Sequence, residues 1–595
     1  MRSHCLNVQT ENIKNSCMKR FFILISFFMV SMAIVAVPAQ RGIWRQVKLA
    51  DGTVVKVELR GDEHMKYWTA EDGKCFVPEY GTNHFKAIDK EELIKASDTR
   101  RQQQQQIIKD ARRKSQKRAS GVQYVGKKKG LIILANYSDV TFAASHTLDL
   151  YKRIANEVGF SHALGFKQSV KDYYLTQSYG QFELDFDVIG PVQLPESQAY
   201  YGGNGSGGDD KKPGEMVAMA CRLADEYVNY ADYDWDGDGI VDQVFVLYAG
   251  RGEASGGSAD TIWPHMWALS SSDYGKNVVL DGVTVSTYAC SCENTYSRLN
   301  RVTGAMEGER IDGIGTICHE FSHCLGLPDM YDTTGSNYGM GTWDLMAGGS
   351  YNGKSYTPAG YTSYERSWAG WLQPIVLDKP TTVKDVKALS DGGDAFIIYN
   401  DANPNEFYML ENRQLTGTDV SLYGAGMLVL HVDYDENIWR WNKVNSFISS
   451  YYVSNDHQRC TIFHADNENG QSVSSIAGDP YPYVQTAADG TTQVVNNSLT
   501  NQSLPASTVY NVNTDGSNFM NKPVTNIVQN EDGTISFDFM GGSNDNIISG
   551  IEHITVKKDT EGNGKIYSID GRYLGTDKTK LSKGLYIING KKVIF

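Results

Sequence analysis

Apolar and polar positions divide the chain into regions of different period. Gly130-Leu131-Ile132-Ile133-Leu134-Ala135-Asn136-Tyr137 is a continuous apolar run between a glycine and the turn residues Ser138-Asp139. That is the pattern of a strand buried on both faces. Gln243-Val244-Phe245-Val246-Leu247-Tyr248-Ala249 repeats it and closes at Gly250. Helical patterns lie around 146–178 and 213–229, with another near 313–325. Strands alternating with helices predict an α/β domain with a mixed sheet over residues 119–377. Past Pro374 the period changes to short strands between turn residues, such as Ala395–Tyr399, Met427–Val432 and Thr534–Met540. No long helical period appears there, so residues 378–541 are expected to form a β-rich, sandwich-like domain. Gly541-Gly542-Ser543-Asn544-Asp545 reads as a linker. Residues 546–595 read as a small β module with strands at 565–569 and 584–588.

The start of the chain is patterned for export. Met18-Lys19-Arg20 is basic, Phe21 to Val37 is apolar, and Val37-Pro38-Ala39 offers small residues before Gln40. This predicts a signal peptide over 1–39, with Met18 a candidate initiator; the competing reading is a membrane anchor. No cysteine stands at a lipidation position after the apolar run. Residues 40–99 form a small unit with a strand at Val54–Leu59 and a turn at Glu71–Lys74. Between Arg100 and Lys129 there are 11 Lys and Arg against one Asp, with glutamines at 102–106. Such a segment has little to bury and is expected to be exposed and open to trypsin-like cleavage. Residues 40–118 are therefore read as a propeptide with Lys117-Arg118 as a cleavage point; a permanent accessory domain is the alternative.

Composition narrows the classes. At 595 residues the chain is too long for one core, and two to four domains are expected. A net charge of −14 argues against nucleic acid as a partner. Nine cysteines leave disulfides open in an exported protein, and spacing cannot give their connectivity. Cys318 and Cys324 read as buried small apolar residues.

The chemistry concentrates in His319-Glu320-Phe321-Ser322-His323-Cys324-Leu325-Gly326-Leu327-Pro328-Asp329. On a helix, His319 and His323 project from one face and can hold one cation. Glu320 cannot reach the same coordination position, but it can reach a water on the metal, where a general base belongs. Gly326 can end the helix in a left-handed conformation, and the returning chain brings Asp329 as a third ligand. Three protein ligands leaving one position open is the arrangement of catalytic zinc. The expected reaction is hydrolysis of a peptide bond, with Glu320 moving the proton from water to the leaving amine.

HExxHxxGxx(H/D) followed by a methionine turn at Trp343-Asp344-Leu345-Met346 is similar to the metzincin group. Asp329 in the third position, Met330-Tyr331-Asp332 and the Trp-Asp-Leu-Met stretch resemble the immune inhibitor A-like metalloproteases. So do Val170–Tyr174 with Ser178–Phe182, Ile262–His265, Glu411–Arg413, His431–Tyr434, and Gly61-Asp62-Glu63-His64 toward the propeptide. The resemblance covers roughly residues 45–540. It implies a metzincin-like catalytic domain, Met346 as the floor under the zinc, and a secreted zymogen acting on protein or peptide substrates.

Asp234, Asp236, Asp238 and Asp242 place oxygen donors at positions 1, 3, 5 and 9 of a loop with glycine at position 6; Ile240 would add its carbonyl. This matches the first part of an EF-hand-like calcium loop, although position 12 is Phe245 rather than glutamate. A solvated acidic turn is the alternative. Glu253 and Asp260 are weaker candidates for a cation or substrate site. His265, His431 and His457 stand alone and read as structural. Cys75, Asp62 and His64 are candidate propeptide ligands that would block the zinc. The tail from Ile566 to Val593 resembles a sorting domain of type IX secretion, which implies that machinery as a partner; a small β module packed on its neighbour is the alternative. A monomer without an integral membrane span is expected, secreted or at the surface of a Gram-negative bacterium. The competing function is an inert binding or adhesion protein on a protease scaffold, which would need a broken ligand set.

Overall fold

The computed structural model describes residues 37–102, 124–205, 208–299, 306–449, 453–487 and 489–549, together with four short strands between 566 and 594. At the centre of the main unit lies the strand Gly126–Asn136. It pairs in parallel with Phe182–Gln193 on one side and with Val244–Arg251 on the other. Val244–Arg251 pairs in parallel with Thr287–Thr295, which also carries His265–Ala268 and Arg310–Ile311 antiparallel. The sheet is thus mixed. Its apolar runs are continuous because both faces are covered. Leu131, Ile133 and Ala135 face the helix Pro213–Ala224, while Ile132 and Leu134 face the core shared by Leu148–Asn156, Val170–Gln177 and Ile314–Cys324. Each such Leu or Ile stabilises the fold by roughly 1.5–3 kcal/mol on burial.

The helical pattern expected over 146–178 resolves into two helices, Leu148–Asn156 and Val170–Gln177. The second starts at a capping box: the Ser169 hydroxyl accepts from the Asp172 N–H, and the Asp172 carboxylate accepts from the Ser169 N–H. A box of this kind satisfies two otherwise unpaired amides and sets a helix start in mid-segment. The pattern expected over 213–229 ends at Ala224.

Residues 44–88 form a five-stranded antiparallel sheet in sequential order, followed by the helix Lys90–Gln102. Its apolar side, with Val57, Leu59 and Trp68, shares a core with Val37, Ala39, Ala254 and Trp263. Val37–Ala39, which the sequence reading gives to the leader, is therefore part of the folded body. The proposed cleavage point Lys117-Arg118 and the 118/119 boundary lie outside the described residues.

Beyond residue 375, one sheet runs 375–376, 396–399, 406–413, 426–433, 460–462. The strands 381–386, 535–539 and 524–529 belong to a second sheet. Val383, Phe396, Tyr408, Val429, Ile535 and Phe537 fill the core between them. The strand Gly426–Asp433 alternates: Met427 and Val429 face that core, while Leu428, Leu430 and Val432 join the core beneath Ile314–Cys324. Two short helices, Glu436–Arg440 and Val473–Gly478, occur in this region. Neither is long enough to leave a periodic pattern in the sequence.

Residues 549–595 form a separate unit. Its four strands lie in the order 573–575, 566–568, 585–588, 591–594, all antiparallel. Two of them fall where the sequence expects strands.

Candidate metal centre

The helix Ile314–Cys324 is positioned by its apolar stripe. Ile314, Ile317, Cys318, Phe321 and Leu325 recur at helical spacing and enter the main core. Asp312 holds the N-terminus, accepting from the Gly313 N–H at 2.9 Å and the Thr316 hydroxyl at 3.0 Å. Gly315 lets the segment Gly348–Ser355 cross closely, since a β-carbon there would lie 1.9 Å from the Ser350 carbonyl oxygen. His319 and His323 project from the other face, both fully buried.

Each imidazole is locked through Nδ1. His319 Nδ1 lies 2.8 Å from the Leu345 carbonyl, and His323 Nδ1 lies 2.8 Å from the Leu327 carbonyl. A carbonyl only accepts, so both Nδ1 atoms carry a proton, and in the neutral rings both Nε2 atoms present lone pairs. Gly326 has φ +96° and turns the chain back as the sequence expects. Asp329 is thereby brought beneath the two rings. The backbone N–H of Asp329 donates to Asn442 Oδ1 at 2.7 Å, and Asn442 Nδ2 donates to Asp329 Oδ2 at 2.6 Å. Asp329 Oδ1 is left facing the imidazoles at 3.2 and 3.3 Å.

Three lone-pair atoms thus converge where none has a proton to share. His319 Nε2 and His323 Nε2 are 3.0 Å apart, and Asp329 Oδ1 accepts no hydrogen bond although it is buried. Zinc bonds of ~2.0–2.1 Å in tetrahedral geometry put neighbouring donor atoms about 3.3 Å apart, so the donor set fits that ion. Burial pushes the His323 imidazole down, toward the neutral form that can bind a metal.

Glu320 is fully buried beside this group. Burial pushes its carboxyl well above the usual range; the Val37 N–H pulls it down, and Glu63 and Asp329 push it further up. Its Oε1 accepts the Val37 backbone N–H at 2.8 Å, and its Oε2 has no partner. The Val37 carbonyl accepts from Trp263 Nε1 at 3.0 Å, and the Pro38 carbonyl from the Tyr351 hydroxyl at 2.7 Å. The segment continues through Ala39 N–H to the Gly61 carbonyl and Gln40 N–H to the Ala254 carbonyl. It is an extended peptide lying across the site. Met346 is fully buried; its carbonyl accepts from the Met330 N–H, and its own N–H donates to Asp344 Oδ1 at 2.6 Å. The turn holding Met346 is thereby tied to His319 through the carbonyl of the preceding residue, Leu345.

Asp62, His64 and Cys75 do not join this group. Among the described residues, the donors gathered here are His319, His323 and Asp329. Asp62 accepts from the His64 and Met65 N–H groups, His64 lies 2.7 Å from Glu63, and Cys75 contacts the Gly73 carbonyl. His265 is buried between the Trp263 carbonyl and the Tyr288 hydroxyl. His431 pairs with Glu406, and His457 with Asp433 and Asp456. All described cysteines are free thiols. Asn442, Tyr351 and Val37 escape sequence reasoning as site residues, because each reaches the site from far along the chain; Trp263 stands in the Ile262–His265 stretch that carries the family resemblance, but nothing there assigns it a contact at the site.

In the acidic loop, one carboxylate oxygen each from Asp234, Asp236 and Asp242 come within 4.8 Å of one another. Asp238 lies outside that group, its Oδ1 accepting from the Ile240 N–H at 2.9 Å. Asp234 accepts from Gly237, Asp238 and Gly239, and Asp242 Oδ2 from Trp235 at 2.6 Å.

Residues 134–373 match the family model described as the immune inhibitor A peptidase M6 catalytic domain. The chain is 31% identical over 226 residues to the pre-pro-metalloprotease PrtV of Vibrio cholerae serotype O1, covering 34% of this chain and 23% of that protein. It is 28% identical over 248 residues to immune inhibitor A of Bacillus thuringiensis subsp. alesti, covering 36% of this chain and 34% of that protein. The chain thus spans about a quarter to a third of the length of these relatives. No described helix is long and apolar enough to cross a membrane.

Proposed function

We propose that the chain is a secreted zinc metalloendopeptidase, made as a zymogen, with a metzincin-like catalytic domain backed by a β-sandwich. The convergence of three buried lone pairs from His319, His323 and Asp329, with no proton among them, carries this reading. The likeness of residues 134–373 to a peptidase catalytic domain supports it. A bound zinc supplies a Lewis acid that acidifies water and stabilises developing oxyanion charge. Glu320, next to the first ligand, takes the proton of the attacking water and returns it to the leaving amine. Its Oε2 is buried and has no hydrogen-bond partner, which leaves that oxygen for the water. Met346 supports His319 from below, and Asn442 fixes Asp329.

Zymogen character is read from Val37–Gln40, which requires the leader to end before Val37 rather than at Ala39. While the Val37 N–H donates to Glu320, the base is engaged and the cleft is filled. The name of the Vibrio relative, a pre-pro-metalloprotease, agrees with a leader and a propeptide here. Asp234, Asp236 and Asp242, with Asp238 and the Ile240 carbonyl at the rim, form a structural calcium loop. Export to the cell surface or medium of a Gram-negative bacterium, with the last fifty or so residues as a type IX sorting domain, completes the proposal.

The experiment compares the propeptide-free protein with its Glu320→Ala form on a denatured protein, with zinc measured in both. The wild type cleaves, a chelator stops it, and the variant keeps one zinc while losing roughly 10²–10⁴-fold in rate. A variant that cleaves as well as the wild type sinks the assignment of Glu320. A zinc-loaded, propeptide-free wild type that cleaves nothing favours the inert binding scaffold.

A further inference from the structure

Lys66 sits just past the loop that begins at Gly61, in the segment read as propeptide. Its ammonium crosses to the central domain, where Asp210 Oδ1 lies at 2.7 Å, Asn204 Oδ1 at 3.4 Å, and the Glu253 carboxylate in contact. The Trp263 ring centroid is 5.6 Å away. The Lys66, Asp210 and Glu253 side chains are 12, 7 and 12% exposed. An ammonium has three donors, and three acceptors meet it here. The pocket is held from outside as well: Asp210 Oδ2 accepts from the Trp263 N–H at 2.8 Å, and Glu253 Oε1 from Asn204 Nδ2 at 2.9 Å.

This pocket shares a wall with the reaction centre. Trp263 contributes its backbone N–H to Asp210 and its indole N–H to Val37, whose own N–H reaches Glu320. Ala254, next to Glu253, receives the Gln40 N–H, so a peptide crossing the cleft passes the mouth of the pocket. A cavity of about 630 Å³ continues from it between the two segments, with Trp68, Tyr80 and Phe85 of the propeptide on one side and Asn204, Glu253 and Asp260 of the central domain on the other.

We propose that Asp210, Glu253, Asn204 and Trp263 form a substrate subsite of the processed enzyme that takes a lysine or arginine side chain, with Lys66 as its stand-in in the full chain. The inference rests on the peptidase reading. All four walls belong to the central domain, whereas the compensating cation belongs to the propeptide. Arg45, a second cation that acts on Glu253, is also in the propeptide. Lys211 lines the cavity but makes no ion pair with either carboxylate. Loss of the propeptide leaves two neighbouring acids, otherwise shielded, without a counter-charge. Such a site favours a cation that brings apolar stem and positive head together. The indole face adds to that preference.

The test uses the chain after propeptide removal and paired peptides that carry lysine or its uncharged isostere norleucine at each position around the cut. At one position, lysine is expected to raise kcat/KM at least tenfold over norleucine. The ratio should fall toward one in Glu253→Gln and in Asp210→Asn, and below one in Glu253→Arg, whose own cation fills the pocket. The wild-type ratio needs no variant to fold. If the enzyme cuts both series and shows no lysine preference at any position, the subsite is overturned while the peptidase reading stands. If lysine is preferred but Glu253→Gln and Asp210→Asn, both folded, keep the full ratio, the preference arises elsewhere and the assignment falls. An enzyme that cuts neither series overturns the peptidase reading and the subsite together.

Discussion

Two acidic sites along this chain carry metal-binding patterns, and they solve the problem of clustered charge in opposite ways. Around His319, His323 and Asp329 the donors are buried, and their lone pairs face one another. Every outward hydrogen-bonding position is already used, by the Leu345 and Leu327 carbonyls and by Asn442. In the loop Asp234–Asp242 the carboxylates run from exposed Asp236 through half-buried Asp234 to buried Asp242, and they accept N–H groups of their own loop. The first arrangement has no partner other than a cation for its inward atoms. The second is partly satisfied by backbone and water, so its ion adds to a structure that already stands. Metal should therefore be indispensable at one site and an increment at the other.

The largest effect follows at the buried site. His319→Ala should lose the zinc and at least about 10³-fold in activity, since the metal's share of transition-state stabilisation is several kcal/mol. Asp234→Asn in the same assay should stay within a few-fold of wild type. Equal losses in the two variants would erase the distinction. Next in size is Asn442→Ala. It frees Asp329 Oδ2 and removes the acceptor for the Asp329 N–H, and partners of this kind are worth about 10–100-fold in metal affinity. Zinc competition with a chelator measures it; an unchanged affinity would mean that the turn at Gly326 alone aims Asp329.

That pair of variants also marks what the sequence could and could not disclose. His319, Glu320, His323, Gly326 and Asp329 are legible because a helix and one turn convert spacing directly into geometry. Asn442 is 113 residues from Asp329, and Val37 is 283 residues from Glu320. No local period encodes such meetings; they arise only when the β-rich region and the N-terminal segment dock on the central sheet. The central strands were readable for the same local reason, since Leu131–Ala135 is apolar at every position. The break between the helices Leu148–Asn156 and Val170–Gln177 was not, because a capping box at Ser169 outweighs the apolar period. The acidic loop is an intermediate case: its spacing is readable, yet Asp238 falls outside the group that Asp234, Asp236 and Asp242 form.

A third acid cluster separates burial from metal binding. Asp344 and Glu365 lie buried near each other beneath the Met346 turn, and each raises or answers the charge of the other. Burial raises Asp344 from 3.8 to about 6, and burial with the Asp344 charge raises Glu365 well above its ordinary value. A folded-state value raised above the unfolded one means that the native state binds the extra proton. The resulting stability is complete below the unfolded value and is lost as pH rises through about 6. Asn at 344 supplies a permanent N–H donor to Glu365 and removes one titration. Urea midpoints at pH 4.5 and 7 should show the wild type losing on the order of 2 kcal/mol relative to Asp344→Asn, from ~1.4 kcal/mol per pH unit. A constant difference between the two proteins would mean that the pair binds no extra proton in the native state.

The smallest effect belongs to the acidic loop. At about tenfold excess over its dissociation constant, an ion bound only by the native state adds about 1.4 kcal/mol, and extracellular calcium modules bind at roughly 10⁻⁴–10⁻³ M. Millimolar calcium should therefore raise the stability of the full chain by about 1 kcal/mol. The rise should vanish in Asp236→Asn. The choice of residue matters. Asp234 and Asp242 anchor the loop by accepting the Gly239 and Trp235 N–H groups, so their loss would disturb the turn with or without an ion. Asp236 accepts only from Asp238, at 3.2 Å, and its main capacity is free for a cation. If Asp236→Asn is as stable as wild type without calcium and does not respond to it, the loop is a calcium site whose fold precedes its ion. If the wild type gains nothing from calcium either, the backbone amides alone suffice, and the loop is a solvated acidic turn that only resembles a metal site in sequence.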